Sequence, residues 1–361
     1  MPRTYLGSGP IKGRGALSNT PGRFESRAST PCADDWYLDE SPRDPAESAL
    51  PDRARSVISS NDSPDVGFDV SINPYRGCSH ACIYCFARPS HAYLGLSPGL
   101  DFETRLFYKD DAAKILEAEL AKPRYVCKPI ALGINTDAYQ PLENRLEITR
   151  AILGVLARWR HPVSIVTKSA LILRDVDLLE DLAHDRLVSV MLSVTSLSND
   201  IKRTLEPRAA SPAARLRVIE ELSRAGIPVG VMVAPVIPAI TDHELESILA
   251  AARGAGATLA SYVLLRLPHE VKILFREWLA AHYPDRAAHV MSLIQQARGG
   301  KDYDARFGQR MRGTGPYAEL LRKRFELASR KLGFVESGDR HDLATDFFRP
   351  PRTMPQLSLD F

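Results

Sequence analysis

Six short apolar runs, each bounded by turn residues, limit this chain to one kind of architecture. They are Phe68–Ile72, Pro129–Ile134, Val163–Thr167, Val188–Val194, Val229–Val236 and Tyr262–Leu267. Their β-branched and apolar composition is that of strands. Between them, Ala112–Ala121, Leu146–Trp159, Val176–Ala183, Ala213–Ala225 and His243–Ala252 place apolar residues three and four apart, the spacing of one helical face. Asp175, Asp177 and the Ser211-Pro212 step supply helix starts, and Gly226 supplies a helix stop. Strands that are apolar throughout, alternating with helices, belong to a parallel sheet covered on its faces. Six such units predict an α/β fold, a partial (β/α)6 barrel, with its ligands at the C-terminal ends of the strands.

The barrel pattern occupies about residues 66–284. Residues 1–65 are rich in Arg, Ser, Pro, Asp and Gly and carry no sustained period, which predicts an irregular N-terminal arm. Phe24, Trp36, Tyr37 and Leu38 are large enough to dock that arm on the surface. Residues 285–337 read as a helical, basic C-terminal extension, and residues 338–361 as a flexible tail. With 361 residues, 44% of them hydrophobic, the chain can fill one large core or two modest ones. Its formal net charge is only +3, so any nucleic-acid surface is a local patch. No apolar run approaches the ~18 residues of a membrane span, and the N-terminus lacks the apolar segment of a secretory signal. No membrane association and a cytoplasmic location are therefore expected.

Of the five cysteines, Cys32, Cys78, Cys82, Cys85 and Cys127, three fall within eight residues. That is a poor disulfide framework and a good metal-binding one. The motif runs Gly77-Cys78-Ser79-His80-Ala81-Cys82-Ile83-Tyr84-Cys85-Phe86, in a loop after the first expected strand. Three thiolates at this spacing can ligate three irons of a cubane and leave the fourth without a protein ligand, unlike a four-cysteine electron-transfer cluster. A zinc knuckle wants four ligands; His80 is awkwardly spaced for it, and Cys32 and Cys127 lack a partner motif. The open iron of a [4Fe–4S] cluster can chelate the amino and carboxylate groups of S-adenosylmethionine. One electron then breaks a C–S bond to give methionine and a 5′-deoxyadenosyl radical.

With Tyr84 before its last cysteine and Phe86 after it, the motif resembles the signature of the radical S-adenosylmethionine (radical SAM) superfamily. Residues 68–335 resemble the spore photoproduct lyase family and its uncharacterised bacterial relatives. The matches lie in order at strand ends: Asn135-Thr136-Asp137, Thr167-Lys168-Ser169, Leu192-Ser193-Val194-Thr195 followed by Leu205-Glu206-Pro207, and Val233-Ala234-Pro235. The resemblance implies a radical-SAM partial barrel, a [4Fe–4S] cluster on Cys78, Cys82 and Cys85, S-adenosylmethionine as cofactor, and a one-electron reductant such as flavodoxin or ferredoxin. It also implies cofactor contacts from Phe86, Thr136, Asp137, Lys168, Ser193 and Ala234. The chemistry agrees. Thr136 and Asp137 suit an amino group, Lys168 a carboxylate and Ser193 the ribose hydroxyls, with Thr195 a second candidate; the Ala234 backbone and the Phe86 ring suit adenine. Each of these polar residues is also ordinary turn or cap chemistry. One departure matters. In the lyase, a cysteine just before the position of Thr136 supplies a hydrogen atom to the product radical, and here Leu132, Gly133, Ile134 and Asn135 offer no thiol. Cys127 lies at the opposite end of the same expected strand, roughly 20 Å from the mouth, and reads as a buried small hydrophobe.

Between Arg298 and Lys331 there are ten Lys or Arg against four acids, with Tyr303, Phe307 and Tyr317 interleaved. Basic side chains for phosphates and rings for bases form the pattern of nucleic-acid contact, and a solvated helix face over core aromatics is the alternative. The order of residues 307–317 also resembles the Gly-rich hairpin with which the lyase approaches its DNA lesion, which singles out Arg310, Arg312 and Tyr317. The last six residues, Gln356–Phe361, resemble the short peptide by which bacterial polymerases and repair proteins bind the replication sliding clamp. Gln356 would hydrogen-bond, and Leu357, Leu359 and Phe361 would enter apolar pockets; the alternative is a tail that folds back over its own barrel.

The expectation is an enzyme that abstracts hydrogen from a nucleic-acid substrate such as damaged DNA. Two others stay open: the same chemistry on tRNA or a small metabolite, and an iron–sulfur DNA-binding or redox-sensing protein without turnover.

Overall fold

Every one of the six apolar runs contributes a strand to one parallel sheet. The computed structural model describes residues 10–25, 46–335 and 343–350. In chain order its strands are β1 (Ser48–Pro51), β2 (Ile58–Ser60), β3 (Val70–Ile72), β4 (Tyr75–Arg76), β5 (Arg105–Tyr108), β6 (Ile130–Leu132), β7 (Val163–Thr167), β8 (Val188–Ser193), β9 (Val229–Val236) and β10 (Leu259–Leu264). The main sheet runs β10-β9-β8-β7-β6-β3-β2, and all its pairings are parallel except that of β2 with β3. Its two edges do not pair, so the barrel is partial. Helices Ala112–Leu120, Ile148–Arg158, Val176–His184, Pro212–Arg224 and Leu245–Gly254 follow their strands, close to the expected bounds. Ser211 caps its helix by accepting from the Ala214 N–H, and Gly226 follows it with a positive φ.

The arm is more ordered than its composition announces. β2 adds an antiparallel edge, and β1 pairs with β5 in a small second sheet completed by β4. These strands are three or four residues long and mostly exposed, too short for a period to show. Phe24 does rest on the surface, its ring centroid 4.9 Å from that of Tyr93, while staying 57% exposed; Trp36, Tyr37 and Leu38 lie outside the described residues.

β10 begins and ends three residues earlier than expected. The apolar run continues because Leu265 and Leu267 leave the sheet and enter a second core with Phe275, Trp278 and Leu279. Those partners come from the helix Val271–His282, which precedes Pro284–Gln296 and the long basic helix Gly315–Leu332. The main core lies between sheet and helices, and the second core sits beside the strand mouths. Part of the tail folds back. Phe348 packs against Tyr125, Trp159 and His161, and the Arg349 N–H donates to the Trp159 carbonyl at 3.1 Å, at the N-terminal end of β7 and away from the mouths. No described helix is long and apolar enough to cross a membrane.

Candidate active site

The cysteine loop is a run of tight turns pinned from three sides. Cys78 N–H donates to the Phe102 carbonyl, and the Ala81, Cys85 and Arg88 N–H groups donate back to Cys78, Cys82 and Cys85. Gln140, fully buried, accepts from the Ser79 N–H at 3.0 Å and donates to the Gly77 carbonyl at 3.2 Å. Arg88, also fully buried, donates to the Cys82 carbonyl at 2.9 Å and pairs with buried Glu103. Glu103 in turn accepts the Gly15 and Ala16 N–H groups, so residues 14–16 lie against the loop. A Cβ on Gly15 would stand 2.0 Å from the Ala81 carbonyl oxygen, an approach only glycine permits. From below, Ile83 is buried in the second core beside Leu205 and Trp278.

Cys78, Cys82 and Cys85 are the residues that could hold a cluster. They are free of disulfides, and the first two are buried. Among the described residues no three His, Cys, Asp or Glu converge as the ligands of one metal would. Burial, then the nearby Asp137 carboxylate and the other thiols, pushes the Cys78 pKa well up; burial pushes Cys82 up to about 12. Those two thiols ionise only against strong positive charge, which the irons of a cluster would supply.

The expected strand-end residues converge around this loop. Asp137 is nearly buried. Its Oδ1 accepts from the Thr167 hydroxyl at 2.7 Å and the Tyr139 N–H at 2.9 Å, and its Oδ2 accepts from the Lys168 N–H at 3.0 Å. His80 Nδ1 stands 3.3 Å from the same Oδ2, at ion-pair distance but without hydrogen-bond alignment. Burial alone would raise the Asp137 carboxyl, but His80, Lys168 and Thr167 hold it well below the usual carboxylate range. Its oxygens thus tie β6 and β7 to the cysteine loop, a structural task the sequence did not announce. Thr136 is similarly engaged, donating its hydroxyl to the Tyr75 carbonyl at 3.0 Å. The Lys168 ammonium lies 5.9 Å from the Tyr84 ring centroid; burial opposes its charge, but Cys82, Glu206 and Asp137 raise its pKa. Ser193 and Thr195 both reach the Ala234 carbonyl, at 3.0 and 2.9 Å. Phe86 is 40% exposed at the rim, with the Arg266 guanidinium 4.9 Å from its ring centroid.

The basic segment is placed differently from its expected open face. Arg298 is buried, donating to the carbonyls of Leu264, Leu265 and Gln309. Arg310 pairs with Asp65 and lies 4.6 Å over the Phe307 ring; Arg312 lies 3.9 Å over the Tyr262 ring. Tyr317 donates its hydroxyl to Asp242 at 2.8 Å and packs on the main core, so its ring does not stand free. Cys127 precedes β6 at the end away from the mouth and is half-buried rather than buried, and that burial pushes its thiol up to about 11. Gln356, Leu357, Leu359 and Phe361 lie outside the described residues. Gln140, Arg88, Glu103, Arg215 and Arg266 escaped sequence reasoning because a buried polar residue and a surface one look alike in a single chain. Only Arg88, three residues after Cys85, stood where a search could begin.

A family model described as the radical SAM superfamily matches residues 72–252. The chain belongs to the radical SAM superfamily. It is therefore an enzyme that uses a [4Fe–4S] cluster and S-adenosylmethionine, and one-electron radical chemistry is what that pair supplies when bound. Uncharacterised proteins of Mycobacterium tuberculosis H37Rv and Mycobacterium bovis are each 39% identical to it over 231 residues, 63% of this chain and 68% of theirs. An uncharacterised protein of Methanocaldococcus jannaschii is 30% identical over 173 residues, 48% of this chain and 62% of its own. Among solved structures, a spore photoproduct lyase variant with bound AdoMet and dinucleoside spore photoproduct has the same fold: TM-score 0.55 and 16% identity, covering 79% of this chain and 80% of that one.

Proposed function

We propose that this radical SAM enzyme acts on nucleic acid, in a DNA-repair reaction related to that of spore photoproduct lyase. Cys78, Cys82 and Cys85 hold the cluster, and Phe86, Thr136, Lys168, Ser193 and Ala234 line the cofactor, with Asp137 ordering them. The observation that carries the substrate reading is the placement of residues 303–312. This segment starts at the mouth, where Arg266 reaches Tyr303 and Met311 on one side and the Phe86 ring on the other. It then crosses to Asp65, in the β2–β3 connection, and so spans the gap between the two unpaired sheet edges. There Phe307 is 55% exposed, one face covered by Arg310, and its free face suits a nucleobase while Arg312 suits a phosphate. The fold neighbour holding a dinucleoside photoproduct is a precedent for such a ligand in this architecture. The hydrogen donor differs from the lyase's cysteine, because the residues just before Thr136, Leu132 to Asn135, include no cysteine. A sliding clamp, bound through Gln356, Leu357, Leu359 and Phe361, belongs to the same repair reading.

Titration of reconstituted protein with single- and double-stranded DNA over a range of salt tests the substrate. Arg312→Ala should reduce the salt slope by about one, and Phe307→Ala should cost ~1–3 kcal/mol of binding. No binding at low salt to DNA or RNA would favour a small-molecule substrate. Cys78→Ala, Cys82→Ala and Cys85→Ala should each lose cofactor cleavage, and Cys127→Ala should keep it.

A further inference from the structure

Glu206 sits at the end of the helix Asn199–Leu205 and is almost fully buried. Its carboxylate accepts hydrogen bonds from the Tyr84 hydroxyl and from the Arg215 guanidinium, and it stands 2.9 Å from Thr195 Oγ1. Each partner belongs to a different part of the site. Tyr84 lies between two of the cysteines, and its ring is the floor beneath the Lys168 ammonium. Thr195 follows β8 and reaches the Ala234 carbonyl on β9 at 2.9 Å. Arg215, itself buried, donates to the Ser193 carbonyl at 2.8 Å and the Ala210 carbonyl at 3.0 Å. The neighbouring backbone joins in: Ile83 N–H donates to the Leu205 carbonyl and Arg208 N–H to the His80 carbonyl.

We infer that Glu206, charge-balanced by Arg215, is a positioning residue that sets the β8 and β9 ends in register with the cysteine loop, and so places the groups that grip S-adenosylmethionine. A buried carboxylate with a single guanidinium partner is weak evidence for stability alone, since an apolar pair would serve as well. Its directional bonds to a cluster-loop hydroxyl and a strand-end hydroxyl do what apolar packing does not: they fix two surfaces at one distance and angle. The inference rests on Lys168, Ser193 and Ala234 as cofactor contacts and is independent of the substrate.

Glu206→Gln strands a buried guanidinium and is the harsher test. Tyr84→Phe and Thr195→Val each remove one bond while keeping the charge pair and the side-chain shape. Both should bind iron as the parent does after anaerobic reconstitution. In both, the S-adenosylmethionine concentration that half-converts the EPR spectrum of the reduced cluster should rise roughly tenfold, and KM for the cofactor should rise with kcat changed far less. An unchanged half-conversion point in both iron-replete variants overturns the inference. So does loss of iron from both, which would make the network a brace for cluster assembly. Lys168→Met is the control: if it also leaves cofactor binding unchanged, the contact assignment has failed and not the positioning role.

Discussion

The Lys168 backbone N–H donates to Asp137 Oδ2 at 3.0 Å, while the Lys168 ammonium makes no hydrogen bond among the described residues and lies over the Tyr84 ring. The two neighbours therefore have separable tasks. Asp137 is consumed by the protein, and the lysine head makes no such bond.

Lys168→Met should weaken S-adenosylmethionine binding by roughly tenfold or more and leave iron content and the urea midpoint near those of the parent. Asp137→Asn replaces one acceptor oxygen with a donor amide inside a set of donors, and should cost ~1–3 kcal/mol of stability. Equilibrium unfolding and cofactor titration on the same preparations separate these outcomes. Equal stability losses in both variants would show the lysine to be structural too.

Gly15→Ala tests the cover on the cysteine loop. Its Cβ would meet the Ala81 carbonyl at 2.0 Å, a backbone atom that cannot swing aside. Residues 14–16 must then lift from Glu103, leaving its buried carboxylate with Arg88 as its partner among the described residues. The barrel should still fold, with an unchanged far-UV spectrum, but the reconstituted cluster should bleach several-fold faster in air. Bleaching at the parental rate would mean that the arm does not shield the loop.

The legibility of this chain follows the strength of its periodic signals. The six parallel strands could be read because each lies in a short β-branched or apolar run bounded by turn residues, and their helices because one apolar face repeats over two to three turns. The β10 boundary was misplaced because Leu265 and Leu267 are as apolar as strand residues while serving a different core. The Cys78, Cys82 and Cys85 spacing carries its own chemistry, so it needed no fold. Asp137 and Tyr317 show the limit: residue type marked both as ligand groups, yet their partners Thr167 and Asp242 come from distant parts of the chain. Arg215 gave no signal, since a buried arginine on an amphipathic helix matches a solvated one in sequence.

Two truncations divide the tail. Ending the chain after Pro350 should leave the urea midpoint, iron content and cofactor cleavage unchanged, and should abolish any binding to a purified bacterial sliding clamp. Ending it before Ala344 also removes Phe348 from the Tyr125, Trp159 and His161 pocket and should cost ~1.5–3 kcal/mol. Clamp binding that survives the shorter cut sinks the tail motif.

The same pocket makes stability depend on pH. His161 is buried, and its two nitrogens face a carbonyl and a hydroxyl: Nδ1 donates to Pro162 O at 3.0 Å and Nε2 accepts from Tyr125 at 2.7 Å. A protonated ring could turn the Tyr125 contact round and donate to its oxygen, so it is burial that disfavours the charge. Burial pushes its pKa from 6.5 down to about 4, and burial does the same to His91, beside Phe102. Below pH 6.5 the unfolded chain gains protons that the folded chain refuses, so this stability is complete above that value and is lost as the pH falls toward about 4. Within the window each ring contributes a slope approaching ~1.4 kcal/mol per pH unit. The urea midpoint should therefore be lower at pH 5 than at pH 7 for the parent, and in His161→Gln that fall should be smaller. An equal fall in the variant would assign the dependence to other groups.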